Sequence, residues 1–284
     1  MTRRSALQLL PAALPAPAPL VRLGCQTNAW PIDPRDFSQF LAVLGRIRSL
    51  GFTGFETTFR NVVPQAARLA EAQKEIAAAG LAFLGLHIFL GRQYDPETGV
   101  APWKLAREVA DLGAALGAER LILSGAAKNK NGKVDAATLA RKTEALNRAG
   151  AYCARRRLSL AYHNHNLEFQ GGGEEMERLL EQTDPGTVGL MLDAGHAFVG
   201  GVDAVAFFER RHARIRGMHL RDFKLGRQAP LGRGEFDFGA LARAVHRVRW
   251  RGWIVAEEER PNDVRPGDSV VKPARGRLRK VFGL

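Results

Sequence analysis

After residue 20, short apolar runs alternate with longer stretches of helical periodicity to the end of the chain. Val21 to Gln26 reads as a first strand. Asp33 to Leu50 carries helical spacing and stops at Gly51, as a helix C-terminus does. Thr53 to Thr57 is a second strand, Pro64 to Ala79 an Ala-rich helix closed by Gly80, and Leu81 to His87 a third strand. Pro102 to Leu116, Glu119 to Ser124 and Ala136 to Arg156 continue as helix, strand and long helix. A fifth strand opens at Leu158 and a short helix spans Glu174 to Gln182. Thr187 to Asp193, Ile215 to His219 and Trp253 to Glu257 follow as strands. Val202 to Arg211, Phe238 to Val248 and Ser269 to Phe282 are the helices between and after them. Eight strand-then-helix units with short connections predict an α/β chain forming a single (β/α)8 TIM barrel over residues 21–284, with no second domain. The longest loops, Gly91–Pro102 and Asp222–Phe238, follow strands three and seven, on the face where lids belong.

The last four strands share a second pattern. Side chains alternate along a strand, so Ser159, Ala161, His163 and His165 share one face of the fifth. Gly189, Met191 and Asp193 share a face of the sixth, Ile215, Gly217 and His219 of the seventh, and Trp253, Val255 and Glu257 of the eighth. Each apolar strand thus ends in an imidazole or a carboxylate aimed the same way. In parallel α/β folds the C-terminal ends of strands are where sites are built. Polar strand ends are common in any protein. Four in succession with matching alternation point to one shared site. Imidazole with carboxylate suits a borderline divalent cation such as Zn or Mn.

Composition changes this picture little. A chain of 284 residues with 45% hydrophobic and 25% charged residues is ordinary for a globular protein. The formal charge of +13 raises the question of an anionic partner. The basic residues are dispersed, with clusters only at Arg155–Arg157 and from Arg265 to Lys280, and no aromatic residues are interleaved with them. That argues against nucleic acid and for a solvated basic surface. Cys25 and Cys153 form neither a CxxC nor a disulfide framework and read as reduced core residues. Residues 1–20 stand apart: Arg3-Arg4 precede an apolar run from Ser5 to Leu14, then Pro and Ala alternate. This resembles a twin-arginine export signal, and export to the periplasm is the expectation. Pro11 breaks the run and Pro19 follows the best cleavage site, so an unstructured start of a cytoplasmic protein is the alternative. No later apolar run reaches the roughly 18 residues of a membrane span.

Six motifs carry a resemblance: GFTGFE at 51–56, YHNHNLEF at 162–169, LDAGHAFVGGVD at 192–203, HLRD at 219–222, GRGEFDF at 232–238 and WIVAEEE at 253–259. In this order and spacing the chain resembles the sugar isomerase/epimerase family with a xylose-isomerase-like TIM barrel. Its relatives include inosose dehydratases, ketose 3-epimerases, dehydroshikimate dehydratases and AP endonucleases. The resemblance implies one divalent metal, Mn, Co or Zn, held by His163, Asp193, His219 and Glu257. Epimerases carry Glu where this chain has His163, which leaves His165 or Glu168 as alternative fifth-strand ligands.

What the resemblance implies chemically is polarisation of a substrate carbonyl by the metal and an enediolate made by proton abstraction. His165 is the first candidate base, matching the catalytic histidine of the dehydratase relatives; Glu168 and Glu257 come second. His196 is expected to touch substrate, and Glu56 and His87 to line the pocket. His212 and His246 read as surface or packing residues. The reading is a metal-dependent sugar or polyol isomerase/epimerase. The alternative is a lyase of the inosose or 3-keto-glycoside dehydratase type, to which YHNHNLEF is rather closer. The partner is then a small sugar, polyol or keto-glycoside, and a homodimer fits the family. A nuclease of the AP-endonuclease type is disfavoured, because strand four ends in Ser124 and GEFDF at 234–238 lacks the extra histidine. A carbohydrate-binding barrel without turnover is the remaining possibility.

Overall fold

The computed structural model describes residues 21–130, 133–259 and 267–284. The expected leader at residues 1–20 lies outside them. Eight strands form the barrel: β1 (Val21–Gln26), β2 (Gly54–Thr58), β3 (Ala82–Ile88), β4 (Arg120–Ser124), β5 (Ser159–His163), β6 (Val188–Asp193), β7 (Ile215–Leu220) and β8 (Gly252–Ala256). Each pairs in parallel with its sequence neighbours, and β1 closes on β8 from Val21↔Gly252 to Cys25↔Ala256. This is the (β/α)8 barrel the periodicity predicts.

The helices follow the expected order with shifted starts. The first, α1 (Phe37–Ser49), begins four residues after the expected Asp33, because the Asp36 side chain accepts the Ser38 amide and caps it there. Pro64 does not begin an α-helix: Val63–Arg68 is a 3-10 turn, and α2 (Leu69–Ala78) starts after it. Next come α3 (Trp103–Leu116), α4 (Ala136–Ala154) and α5 (Glu174–Gln182). One short helix was not expected, α6 (Ala194–Val199), and it starts directly at the end of β6. The outer ring is completed by α7 (Ala204–Arg211), α8 (Phe238–Arg247) and α9 (Asp268–Phe282). Short hairpins occupy two strand-to-helix loops, Asn129–Lys130 with Lys133–Val134, and Asp222–Lys224 with Arg227–Ala229.

The main hydrophobic core lies between barrel and helices. Inside the barrel, Ile122, Ala161 and Met191 form a small separate cluster, and Leu84, Trp253 and Val255 another. These are the inward positions below the strand ends, so the interior is plugged and the site sits on the plug. Gly217 makes this possible on β7, since a Cβ there would lie 2.9 Å from the Met191 sulfur. Cys25 and Cys153 are both buried and unpaired. Among the described residues no helix is long and apolar enough to cross a membrane.

Candidate functional site

Barrel closure brings the four strand-end groups to one place, as alternation requires. The register pairs Asp193 with His219, His219 with Val255, and Ser124 with His163. Each of His163, Asp193, His219 and Glu257 is almost wholly removed from solvent. Glu257 lies one residue beyond β8 and is the hub. Its Oε2 is 2.7 Å from His219 Nδ1 and 3.3 Å from His163 Nε2, and its Oε1 is 2.8 Å from Arg221 Nη2. Among the described residues, His163, His219 and Glu257 place ligand atoms within 4.8 Å of one another.

Asp193 stands at the edge of this group. Its Oδ1 accepts the His196 amide at 2.8 Å and so caps α6, while its Oδ2 lies 3.9 Å from His163 Nε2. Its backbone is held by Asn164, whose side chain bonds both its amide and its carbonyl.

Electrostatics follow from burial with close partners. Burial opposes a charge on His219, but the carboxylates of Glu257 and Glu56 overcome it and raise its pKa to about 10. Burial likewise opposes ionised Glu257, yet Arg221 and His219 hold it well below the usual carboxylate range. For His165 burial prevails: desolvation, then the neighbouring His163 and His196, push it down to about 2 against a smaller opposing pull from Glu257. His196 is lowered as well, chiefly by burial.

Whether these groups suit a divalent cation is tested by their unmatched atoms. Glu56 Oε1, His163 Nδ1, Asp193 Oδ2 and His219 Nδ1 are buried without a hydrogen-bond partner. Several of them sit close to an opposite charge without the alignment of a hydrogen bond, as His219 Nδ1 does at 2.7 Å from Glu257. Of these atoms, His219 Nδ1 faces Glu257 and Asp193 Oδ2 lies 3.9 Å from His163 Nε2, so both point into the group. Two imidazoles with two carboxylates are also a donor set that borderline divalent ions accept. The residues present fit such an ion.

Above this group opens a cavity of about 650 Å³, lined by His87, His165, His196, Arg221 and Glu257 with the apolar walls of Trp30, Ile32 and Phe89. His165 lies past the end of β5, and its ring centroid is 5.0 Å from that of His196. His87 hydrogen-bonds Ser124 at 2.6 Å and stacks on His163, centroids 4.8 Å apart.

Two expected site residues are placed elsewhere. Glu56 is wholly buried, is not among the residues lining the cavity, and hydrogen-bonds His219 Nε2, as a carboxylate that orients an imidazole does. Glu168 is also wholly buried. Its oxygens meet the Tyr162 hydroxyl and the His165 amide, the latter at 2.7 Å, with Lys142 Nζ 3.7 Å away. With both oxygens engaged and no place among the residues lining the cavity, Glu168 holds the His165 loop. His212 bonds the Glu209 carbonyl and His246 is exposed on α8, both away from the site.

Sequence reasoning missed Arg221 and Asn164. The first was within reach, because extending the alternation Ile215, Gly217, His219 by two residues arrives at Arg221. The second leaves no local signal, since its partner is the backbone of the next strand.

Known proteins agree with this architecture. An inosose dehydratase of Geobacillus thermodenitrificans is 26% identical over 301 residues, covering 93% of this chain and 98% of that one. A 3-keto-D-glucoside 4-epimerase from E. coli superposes with a TM-score of 0.72 at 16% identity, covering 92% of this chain and 99% of its own. An L-ribulose 3-epimerase does so with a TM-score of 0.75 at 17% identity, covering 93% and 95%. At these identities the two structures show a shared fold. The family model described as xylose isomerase-like TIM barrel matches residues 44–281, nearly the whole barrel just described, and the chain belongs to that family.

Proposed function

We propose that this protein is a divalent-metal-dependent lyase that dehydrates a keto-polyol or keto-sugar. The observation that carries the reading is the pair His165 and His196, side by side on the cavity wall with ring centroids 5.0 Å apart. A cation held by His163, Asp193, His219 and Glu257 supplies, when bound, the positive charge that acidifies the proton alpha to a carbonyl. His165, kept neutral by burial, takes that proton. The imidazolium so formed is the acid that returns it to the departing β-hydroxyl. Water leaves, the enol becomes a 1,2-dicarbonyl, and the histidine is regenerated. His196 orients the hydroxyl, and Trp30 and Phe89 exclude water from the apolar side of the ring. The full-length likeness to an inosose dehydratase supports this outcome.

The isomerase/epimerase reading shares the first step and differs in the second. Epimerisation needs another acid–base group across the substrate. Glu257 lines the cavity and favours that reading. Against it, both Glu257 oxygens are engaged, by Asn28, Arg221, His163 and His219.

The test is product analysis in D2O with Mn, Co or Zn supplied, offering inososes, ketoses and keto-glycosides. Loss of water to a dicarbonyl supports the lyase. An epimer carrying solvent deuterium at the alpha carbon, with no water lost, moves the assignment to the second reading. No turnover and no bound metal leave a binding barrel. His165→Asn lowers kcat by roughly 10²–10⁴ under either enzymatic reading.

A further inference from the structure

The Arg221 guanidinium lies against the same carboxylates from which the cation site is built. Gly195 lets it sit there: a Cβ on Gly195 would come within 2.5 Å of the Arg221 carbonyl oxygen, so α6 packs directly on that backbone. Arg221 is 7% exposed and carries a permanent charge. Three carboxylates meet its fork. Nε is 2.7 Å from Asp193 Oδ2, Nη2 is 2.8 Å from Glu257 Oε1, and Nη1 is 3.3 Å from Glu259 Oε1.

The consequences differ for the three partners. Glu257 has a second oxygen, which faces His163 and His219 and is free of Arg221. Asp193 has none to spare, because Oδ1 caps α6 and Oδ2 faces Arg221. The Asp193 contact is charge against charge without hydrogen-bond alignment, for both Arg221 Nε and Asp193 Oδ2 lack a hydrogen-bond partner. It is therefore the easier of the two short contacts to release. Glu259 lies outside the cage, lines the cavity and keeps 48% of its side chain exposed.

We propose that Arg221 is a built-in counter-cation that competes with a divalent ion for Asp193, and that ion binding passes the guanidinium to Glu259. The inference rests on the metal reading above. Buried Asp193 and Glu257 need a counter-charge to be tolerated at all, and Arg221 supplies it before an ion arrives. A guanidinium and a divalent ion on one carboxylate oxygen repel strongly at low dielectric, so the two alternate. The transfer needs no backbone movement, because Nη1 already touches Glu259. It also leaves the positive charge on the cavity wall, where substrate oxygens pass.

The experiment is calorimetric titration of chelator-treated wild type, Arg221→Gln and Arg221→Lys with Mn2+, with thermal unfolding of each chain with and without the ion. Arg221→Gln is expected to bind Mn2+ at least roughly tenfold more tightly than wild type. It should also melt lower without the ion and gain more from it. Arg221→Lys falls between, since an ammonium cannot fork across two carboxylates. Should Arg221→Gln not fold, the Lys variant against wild type decides by the same comparison. Variants that bind equally or more weakly, beside a wild type that binds a single equivalent, overturn the competition and leave the metal reading standing. Absence of binding by all chains overturns both.

Discussion

The carboxamide of Asn164 closes both backbone hydrogen bonds of Asp193, donating to its carbonyl at 3.0 Å and accepting from its amide at 3.0 Å. One side chain at the end of β5 thus fixes the end of β6, and with it a carboxylate of the candidate site. Asn164→Ala strands two wholly buried backbone groups and is expected to cost about 2–4 kcal/mol. Urea unfolding measures it. A loss within experimental error would show that the clamp is redundant. Asn164→Asp keeps an acceptor for the amide but offers the carbonyl no donor, so it does not rescue.

Behind the site, Lys142 on α4 is wholly buried between Glu175 at 2.7 Å and Glu168 at 3.7 Å. Lys142→Met leaves buried carboxylates without their cation, and a loss of about 3–5 kcal/mol is expected. Adding Glu175→Gln should return part of it. Unfolding midpoints of the single and double variants decide the matter. An additive pair of losses would mean that the two charges do not depend on each other.

Gly195 tests the seating of α6 on Arg221. Ala is a better helix former by about 1 kcal/mol, so propensity alone predicts a more stable chain. The contact predicts the reverse, because the added methyl meets backbone at 2.5 Å and the Arg221 Cγ at 2.9 Å. A net loss of about 1–3 kcal/mol is expected for Gly195→Ala. A raised melting temperature would count against the packing described.

The thiols are expected to be inert in the folded chain. Burial pushes Cys153 up to about 12 and raises Cys25 well above its ordinary value. A thiol with so high a pKa keeps almost no thiolate at pH 8. Ellman's reagent should therefore titrate neither cysteine until denaturant is added, and both afterwards. Rapid reaction of the native protein would place one of them at the surface.

The sequence alone determined the order of strands and helices, because periods of two and of 3.6 residues are local properties. It also placed His163, Asp193, His219 and Glu257 at one end and on one face of their strands, because alternation fixes which face a strand-end side chain takes once the strand is buried. It misjudged helix starts, where capping by Asp36 and a 3-10 turn at Val63–Arg68 outweighed periodicity. Only barrel closure decided what each site group touches. Glu56 meets His219 across 163 residues of chain, and Arg221 meets carboxylates from two neighbouring strand ends. Glu168, three residues from His165, was drawn away from the cavity toward Tyr162 and Lys142. A carboxylate or a guanidinium in a buried site takes its partner from whatever charge the fold brings within a few ångströms, and spacing along the chain carries no record of that.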